Sequence, residues 1–266
     1  AHVGVAASVG AAQLAVFRRL RVALFSTGDE LAMPGEPLKP GGIYNSNRYT
    51  LRALLEGLGC VVDDLGIVPD SRDATRAALR AAAVGNDLIL TSGGVSVGEE
   101  DHVKPAVEAE GSLDLWKIAI KPGKPLAFGS VGRKLGAGDA ATKLGAGETA
   151  TKLGAGDAAT KLGAGTPCVP GTPLRGQVTA SEAAFIGLPG NPVSSFVTFV
   201  MLVRPFILKA QGSAVVAPRA QSLRADFEFK GDPRREFLRA RINAEGGLEL
   251  FPNQSSGVLT SCTWAD

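Results

Sequence analysis

A glycine-rich loop, Thr91-Ser-Gly-Gly-Val-Ser-Val-Gly-Glu-Glu-Asp101, follows the apolar run Asp87–Leu90 and precedes a helical pattern. A strand that runs into glycines and hydroxyls and then into a helix is typical of a phosphate site. Glycine lets the backbone approach a ligand, and free N–H groups at a helix start favour anions. Because the carboxylates Glu99, Glu100 and Asp101 would repel a phosphate unless a cation lay between them, the loop predicts a phosphorylated ligand and a divalent metal ion.

Composition narrows the class of protein. A chain of 266 residues can bury the core of one large domain or of two. Its 28 basic and 26 acidic residues give a net charge of +2, which argues against a nucleic-acid partner. Cys60, Cys168 and Cys262 are scattered and lack metal-ligand spacing, as expected for a reducing, cytoplasmic setting. The chain begins at Ala1 rather than Met, as a fragment or a processed protein would.

The apolar run near Val193–Leu208 is interrupted by Arg204 and Pro205, and we expect it to be too short to span a bilayer comfortably. The first residues, Ala1–Gln13, lack the basic segment of a signal peptide. No membrane partner is therefore expected.

Apolar runs and helical patterns alternate in the first half of the chain. The predicted order is a strand at Arg21–Phe25, a helix capped at Asn45–Asn47, strand pieces at Val61–Val62 and Leu65–Val68, a helix capped by Ser71 or Asp70 and ending at Gly85, and a strand at Asp87–Leu90. This β-α-β-α-β order predicts a mostly parallel sheet with helices on both faces, a three-layer α/β fold. Ligands bind beyond the carboxyl ends of such strands, where the loops Ser26–Glu30, Pro69–Ser71 and Thr91–Asp101 lie.

Later segments predict a hairpin and a buried helix. Trp116–Ile120 and Leu126–Phe128 flank the turn Lys121–Pro125 and are expected to pair. A strand at Phe185–Leu188 ends in Pro189-Gly-Asn-Pro-Val193, where Asn191 and Pro192 open an apolar helix that Pro205 should kink or end.

The domain organisation is predicted from changes in composition and in the pattern of apolar residues along the chain. We expect a leading segment at residues 1–18, the α/β domain at 19–212, and a small antiparallel β domain at 218–266 that is cut short by the chain end. Strands of the last domain are predicted at Ala225–Phe229, Glu236–Ile242, Leu248–Phe251 and Gly257–Ser261. The motif Lys-Leu-Gly-Ala-Gly recurs from positions 134, 143, 152 and 161, and its composition predicts a flexible surface insertion at residues 133–182.

The candidate metal ligands are Asp29, Glu30 and Asp101, because carboxylate oxygens at strand ends suit Mg²⁺. Glu30 and Asp101 are also the candidate catalytic residues. Asp101 could instead cap the helix that follows it, and Glu99 and Glu100 could be solvated loop charges.

The candidate substrate-binding groups come from three loops. They are Ser92, Gly93, Gly94 and Ser96 in the quoted loop, Lys121 and Lys124 in the Pro-Gly turn, and Gly190 and Asn191 at the apolar helix start. Backbone N–H groups, hydroxyls and ammonium groups at these positions would bind phosphate or other oxyanion oxygens. The alternatives are a tight turn that needs glycines, exposed turn lysines, and helix capping alone.

Five segments in this order resemble the MoeA and gephyrin E-domain family, the molybdopterin molybdenumtransferases. They are Ser26–Leu31, Tyr44–Arg48, Thr91–Gly98 with Asp101, Lys121–Pro125 and Gly187–Ser194, and the tail Phe251–Gly257 resembles the last β domain of that family. The resemblance implies the three-layer MoaB-like fold, and insertion of molybdate into adenylylated molybdopterin with Mg²⁺-dependent release of AMP. It also implies a homodimer in which another domain of the partner completes the site.

The sequence differs from the family pattern in several respects, and two alternative functions are compatible with it. The usual Asp-Ser-Asn of the family is Asn45-Ser46-Asn47 here, which removes one possible acidic ligand. Family members usually carry two further domains before or around this one, whereas this sequence starts just ahead of the first strand, and its carboxy-terminal domain looks shorter than that of the family. A MogA-type molybdopterin adenylyltransferase shares the Gly-Gly loop. A non-catalytic molybdopterin-binding or scaffold module would need only the ligand site.

Overall fold

The computed structural model describes residues 2–95, 102–132 and 182–266. The predictions for Ser96, Glu99, Glu100, Asp101 and Cys168 fall outside these residues, and so does the predicted insertion at 133–182 except for Glu182, which instead begins a strand. The chain divides into two compact units, and the first contributes residues 2–18 to the described part. In it, α1 (His2–Ser8) has no buried residues. All the elements below belong to the second unit, which begins at Arg19.

The second unit contains the following strands and helices. The strands are β1 (Arg21–Thr27), β2 (Leu31–Ala32), β3 (Ile43–Tyr44), β4 (Val61–Val68), β5 (Leu88–Ser92), β6 (Gly111–Trp116), β7 (Ile120–Lys121), β8 (Ala127–Gly132), β9 (Glu182–Leu188), β10 (Arg235–Glu236), β11 (Ala240–Ile242) and β12 (Leu248–Leu250). The helices are α2 (Ser46–Gly57), α3 (Arg72–Ala83), α4 (Val103–Glu110), α5 (Pro192–Thr198), a π-helical turn (Phe199–Val203), α6 (Arg204–Ala210) and α7 (Thr260–Trp264).

A six-stranded sheet in the order β4-β1-β5-β9-β8-β6 forms the centre of the unit. Strands β4, β1, β5 and β9 are parallel, whereas β8 and β6 are antiparallel to their neighbours. The two predicted strand pieces at 61–68 are one strand, and the register shifts where Leu24 pairs with Asp64 and Phe25 with Gly66. The predicted mostly parallel α/β sheet is confirmed.

Each face of the sheet carries its own hydrophobic core, as alternating side chains of buried strands require. On one face, Leu51 and Leu55 of α2 and Phe199, Val203 and Ile207 pack on the sheet. On the other face, α3 and α4 contribute the buried residues Leu79, Ala82, Ala83, Val103, Ala106 and Val107. Helices therefore cover both faces, which confirms the three-layer architecture.

The apolar helix predicted after Pro192 continues through Pro205 to Ala210. Proline donates no backbone hydrogen bond and its ring crowds the preceding turn, and the wider π-helical turn at Phe199–Val203 accommodates it. The whole helix has 19 residues and a mean hydropathy of 1.6, which by length and composition alone would suffice to cross a membrane. The helix is thus longer than the predicted run Val193–Leu208, and its residues Phe199, Val203 and Ile207 are buried in the core on one face of the sheet.

The predicted hairpin differs from the observed pairing. Strand β6 begins at Gly111 and ends at Trp116, which pairs with Ala127 of β8. Ile120 and Lys121 instead pair with Arg235 and Glu236 in a separate two-stranded sheet. The turn Lys121–Pro125 is thus attached to the C-terminal region.

The C-terminal region contains less strand than predicted. Strands β11 and β12 form an antiparallel hairpin, and of the predicted strand 225–229 only Ala225 forms a bridge, to Leu248. The expected strand at Gly257–Ser261 was wrong, because α7 begins there at Thr260. The buried hydroxyl of Ser261 donates to the carbonyl oxygen of Val258 and accepts from Arg239, which favours a turn over a strand.

A buried ion pair joins α3 to α4. The Oε1 atom of Glu110 lies 2.8 Å from Arg76 Nε and 2.8 Å from Arg80 Nη1, and its side chain is 1% exposed. We predict that Glu110→Gln lowers the free energy of unfolding by about 1–3 kcal/mol, because two charge-assisted hydrogen bonds lose their ionised acceptor. Urea unfolding measures the change.

The matched control is Glu56→Gln, since Glu56 also lies 2.8 Å from an arginine nitrogen, that of Arg52, but has a side chain that is 51% exposed. Solvent-exposed pairs contribute little, so this variant should keep the wild-type urea midpoint. Equal losses in both variants would contradict the importance of burial.

Burial raises the pKa of the Cys60 thiol from an ordinary value of 9.0 to about 11. Between these values the unfolded chain binds fewer protons than the folded chain at this position, so we predict that stability falls as the pH rises from 9 to 11. The measurement is the difference in unfolding free energy between wild type and Cys60→Ala across this range. A pH-independent difference would contradict the prediction.

Candidate functional site

Three loops begin at the adjacent carboxyl ends of β1, β5 and β9: the first loop follows Thr27, the second loop follows Ser92 and the third loop follows Leu188. The three strands are adjacent and parallel, so their last residues, Thr27, Ser92 and Leu188, are neighbours. The backbone N–H of Gly93 donates to the carbonyl oxygen of Leu188 at 3.1 Å. A Cβ atom on Gly190 would lie 3.8 Å from the Cα of Gly93, so the second and third loops are in contact.

Positions 93 and 94 require glycine, because the backbone conformation and the neighbouring atoms leave no room for a side chain. Their φ angles are +93° and +64°, in the left-handed region that favours glycine. A Cβ on Gly93 would lie 2.6 Å from the carbonyl oxygen of Thr27, and one on Gly94 would lie 2.5 Å from Cγ2 of Val103. The tight-turn interpretation is therefore sufficient for both glycines, and their predicted contact with substrate stays a prediction.

Asn47 connects α2 to the end of β5 and to the turn after β9. Its Nδ2 atom donates to Ser92 Oγ at 2.8 Å and to the carbonyl oxygen of Gly190 at 2.7 Å. Sequence reasoning considered this residue only as part of a helix start. The missed signal is its spacing of four from Leu51, which places a polar amide on the buried face of α2.

Asn45 caps α2 and is almost fully buried. Its Oδ1 atom accepts from the backbone N–H of Arg48 at 3.2 Å and from Ser26 Oγ at 3.4 Å. Its Nδ2 atom has no hydrogen-bond partner among the described residues. A carboxylate here, as in the family that the sequence resembles, would offer a second acceptor instead of this unpartnered donor.

The predicted carboxylates of the first loop are exposed to solvent. Asp29 accepts the backbone N–H of Asp70 through Oδ1 at 3.1 Å, which connects the loops after β1 and β4. Asp29 and Glu30 also line a cleft of about 290 Å³ that extends to Gly42. Within residues 2–95, 102–132 and 182–266, no three His, Cys, Asp or Glu side chains are placed to hold a metal ion. Asp101, the third predicted ligand, and Ser96 lie outside these residues.

Lys121 and Lys124 differ in their surroundings. The Nζ atom of Lys121 lies 2.8 Å from Glu236 Oε1 and 3.5 Å from Asp232 Oδ2, and the hydrogen bond with Glu236 raises its pKa. Hydrogen bonds from Arg234 hold the pKa of Asp232 well below its usual range. Lys124 is exposed, and among the described residues no carboxylate lies within ion-pair distance of it. Of the two lysines predicted to contact an oxyanion, Lys124 is thus the one whose ammonium group is not in an ion pair with another described residue.

The start of α5 is shared with the C-terminal region. Asn191 occupies the capping position without a side-chain capping bond, and Pro192 follows it. The N–H of Val193 donates to the carbonyl oxygen of Ser256 at 3.0 Å, so this first-turn donor is already used. Ser195 Oγ donates to the carbonyl oxygen of Pro189 at 2.7 Å and fixes the turn.

Arg239 organises the segment that reaches this helix start. The residue is 5% exposed, and burial lowers the pKa of its guanidinium. Its Nε donates to Ser261 Oγ at 3.0 Å, and its Nη2 donates to the carbonyl oxygen of Ser255 at 3.2 Å. The guanidinium therefore holds the backbone immediately before Ser256.

Comparison with known proteins identifies two matching regions. Residues 23–209 match the model of a probable molybdopterin binding domain, and residues 222–266 match the MoeA C-terminal region, domain IV. A molybdopterin molybdenumtransferase of Haemophilus influenzae is 41% identical over 248 residues, which cover 92% of this chain and 49% of that protein. The molybdenum cofactor synthesis protein cinnamon of Drosophila melanogaster is 30% identical over 94% of this chain and 35% of that protein.

Solved structures show the same fold. The molybdopterin biosynthesis moeA protein of Pyrococcus horikoshii superposes with a TM-score of 0.66 at 18% identity, covering 100% of this chain and 52% of that one. The chain thus spans about half the length of the curated transferase from Haemophilus influenzae and of this structural neighbour.

We predict that Gly94→Ala lowers the free energy of unfolding by at least about 1 kcal/mol more than Gly59→Ala does, because only the first adds a steric clash. Both glycines have positive φ, +64° and +77°, but a Cβ on Gly59 would have no atom within 4 Å. Urea unfolding of the two variants separates backbone strain from the close approach of Gly94 to Thr27 and Val103. Equal losses would contradict the close approach.

Proposed function

The chain belongs to the family of molybdopterin-binding domains, and on this premise we propose that it acts in molybdenum cofactor biosynthesis, where it binds adenylylated molybdopterin and transfers molybdenum from molybdate into it with release of AMP. The observation that carries the proposal is the meeting of three loops at the carboxyl edge of β1, β5 and β9 within the matched region. The match of residues 222–266 to domain IV of MoeA supports a molybdenumtransferase in particular.

The ligand would lie against the ends of these strands. Ser92 and the backbone of Gly93 and Gly94 would contact it from the second loop, and Gly190 and Asn191 from the third. Lys124 offers an exposed ammonium group for phosphate or molybdate oxygens, whereas Lys121 would first have to exchange Glu236 for the ligand. Ser96 completes the proposed substrate contacts.

The donor chemistry of the first loop fits a magnesium ion. Asp29 and Glu30 are exposed carboxylates at the end of β1, and Mg²⁺ prefers such oxygen ligands while retaining water. We include Asp101 as the third ligand. When bound, the ion would neutralise phosphate charge. Asn45 is not included, because its Oδ1 atom, the only atom of this amide that could bind a cation, already accepts hydrogen bonds from the Arg48 N–H and Ser26 Oγ.

The partners and the cellular setting belong to the same proposal. We propose that the protein acts as a homodimer in which another domain of the partner completes the site, as in the family that the sequence resembles. The free thiols of Cys60 and Cys262 support a cytoplasmic location.

One observation favours a second candidate, a non-catalytic molybdopterin-binding module. At Asn45 the chain carries a buried amide with an unpartnered nitrogen where the resembling family has an aspartate. A site without this carboxylate would still bind the pterin. The adenylyltransferase alternative has no comparable support, since the match to domain IV belongs to MoeA.

The test is an assay of AMP release by the 266-residue chain, supplied with adenylylated molybdopterin, molybdate and Mg²⁺. We expect AMP release that depends on molybdate and is abolished by EDTA. Binding without AMP release would favour the non-catalytic module. Formation of adenylylated molybdopterin from molybdopterin and ATP would favour the adenylyltransferase.

We predict that Glu30→Gln lowers the rate of AMP release at least about tenfold at subsaturating Mg²⁺, because an amide is a weaker ligand than a carboxylate. Its unfolding midpoint should stay unchanged, since Glu30 is exposed. Glu56→Gln is the matched control, because Glu56 is an exposed carboxylate near the far end of α2. Equal rates for the two variants would contradict a metal role for Glu30.

A further inference from the structure

The side chain of Asn47 donates a hydrogen bond to the Ser92 hydroxyl at the edge of the sheet. We propose that Asn47 is a positioning residue, whose amide occupies the acceptor side of the Ser92 hydroxyl and leaves the hydroxyl hydrogen for a phosphate or pterin oxygen. The inference rests on the proposed function, because it assigns a role within the same ligand site. It differs from a helix-capping role, which belongs to Asn45.

The orientation of the Asn47 amide follows from its partners. The carbonyl oxygen of Gly190 can only accept, so the atom 2.7 Å away from it must be the nitrogen. The same nitrogen lies 2.8 Å from Ser92 Oγ. With two hydrogens and two acceptors, the amide nitrogen is fully used.

In the described part of the chain, the hydroxyl hydrogen of Ser92 has no acceptor in this arrangement. An amide nitrogen does not accept, so the Ser92 hydroxyl cannot return its own hydrogen to Asn47. Among the described residues, its only hydrogen bond is the one that it accepts from Asn47. Ser92 is 3% exposed and ends β5 at the edge where the three loops meet, so a ligand oxygen there would satisfy a buried donor.

The second hydrogen bond of Asn47, to the carbonyl oxygen of Gly190, holds the turn after β9 in place. Gly190 immediately precedes the start of α5 at Asn191 and Pro192. The Asn47 amide thereby sets the separation between β5 and the turn after β9. Loss of the amide should therefore affect ligand affinity more than a single contact would.

A double-mutant cycle tests the inference with isothermal titration of adenylylated molybdopterin into the 266-residue chain. In the wild-type background, Ser92→Ala should weaken the Kd about tenfold, and Ser92→Thr, which keeps the hydroxyl, should retain most of the affinity. In the Asn47→Leu background, which removes the amide without adding charge, Ser92→Ala should have no further effect. Asn47→Ala serves as the second background, and thermal melting verifies that each variant is folded.

The outcomes are distinct. If Ser92→Ala weakens binding equally in both backgrounds, the two residues act independently and the inference is overturned, while the proposed function stands. If Ser92→Thr binds as weakly as Ser92→Ala, the hydroxyl is not the donor and the inference is again overturned. If the wild-type chain does not bind adenylylated molybdopterin, the proposed function fails and takes the inference with it.

Discussion

The parallel pairing of β1, β5 and β9 determines both the position of the two hydrophobic cores and the edge at which the loops meet. These strands are almost entirely buried, so their side chains face apolar cores on both sides and their backbone groups are paired with neighbours. Polar side chains are tolerated where the strands end, at Ser26, Thr27 and Ser92. Because the strands are parallel, all three carboxyl ends lie at the same edge of the sheet, and the polar side chains at these ends are therefore neighbours.

Polar groups at this edge are held by a small number of directional contacts rather than by packing. Two hydrogen bonds from Asn47 connect α2 to the loop after β5 and to the turn after β9. The C-terminal region reaches the start of α5 through the hydrogen bond from the Val193 N–H to the carbonyl oxygen of Ser256. Since an unsatisfied buried amide or carbonyl costs about 1–3 kcal/mol, each of these contacts also fixes geometry.

Local patterns predicted the α/β core well and the connections poorly. The apolar runs of β1, β5 and β9 and the capping residues Asn45 and Ser71 have strong local signals, and the structure confirms them. The pairing of Ile120 with Arg235 is non-local, and nothing in either segment alone indicates it. The role of Asn47 was missed for a similar reason, since the partners of its amide, Ser92 and Gly190, are distant in sequence and become neighbours only in the folded chain. A helix through Pro205 depended on a π-helical turn that residue preferences do not predict.

The most direct measurement is a crystal structure of this chain with adenylylated molybdopterin bound. If the sheet edge is the ligand site, the phosphate or pterin oxygens will lie within hydrogen-bonding distance of Ser92 and the Gly93–Gly94 backbone, at the ends of β1, β5 and β9. A ligand bound elsewhere, for example in the cleft between Asp29 and Gly42 without contact to Ser92, would contradict this assignment.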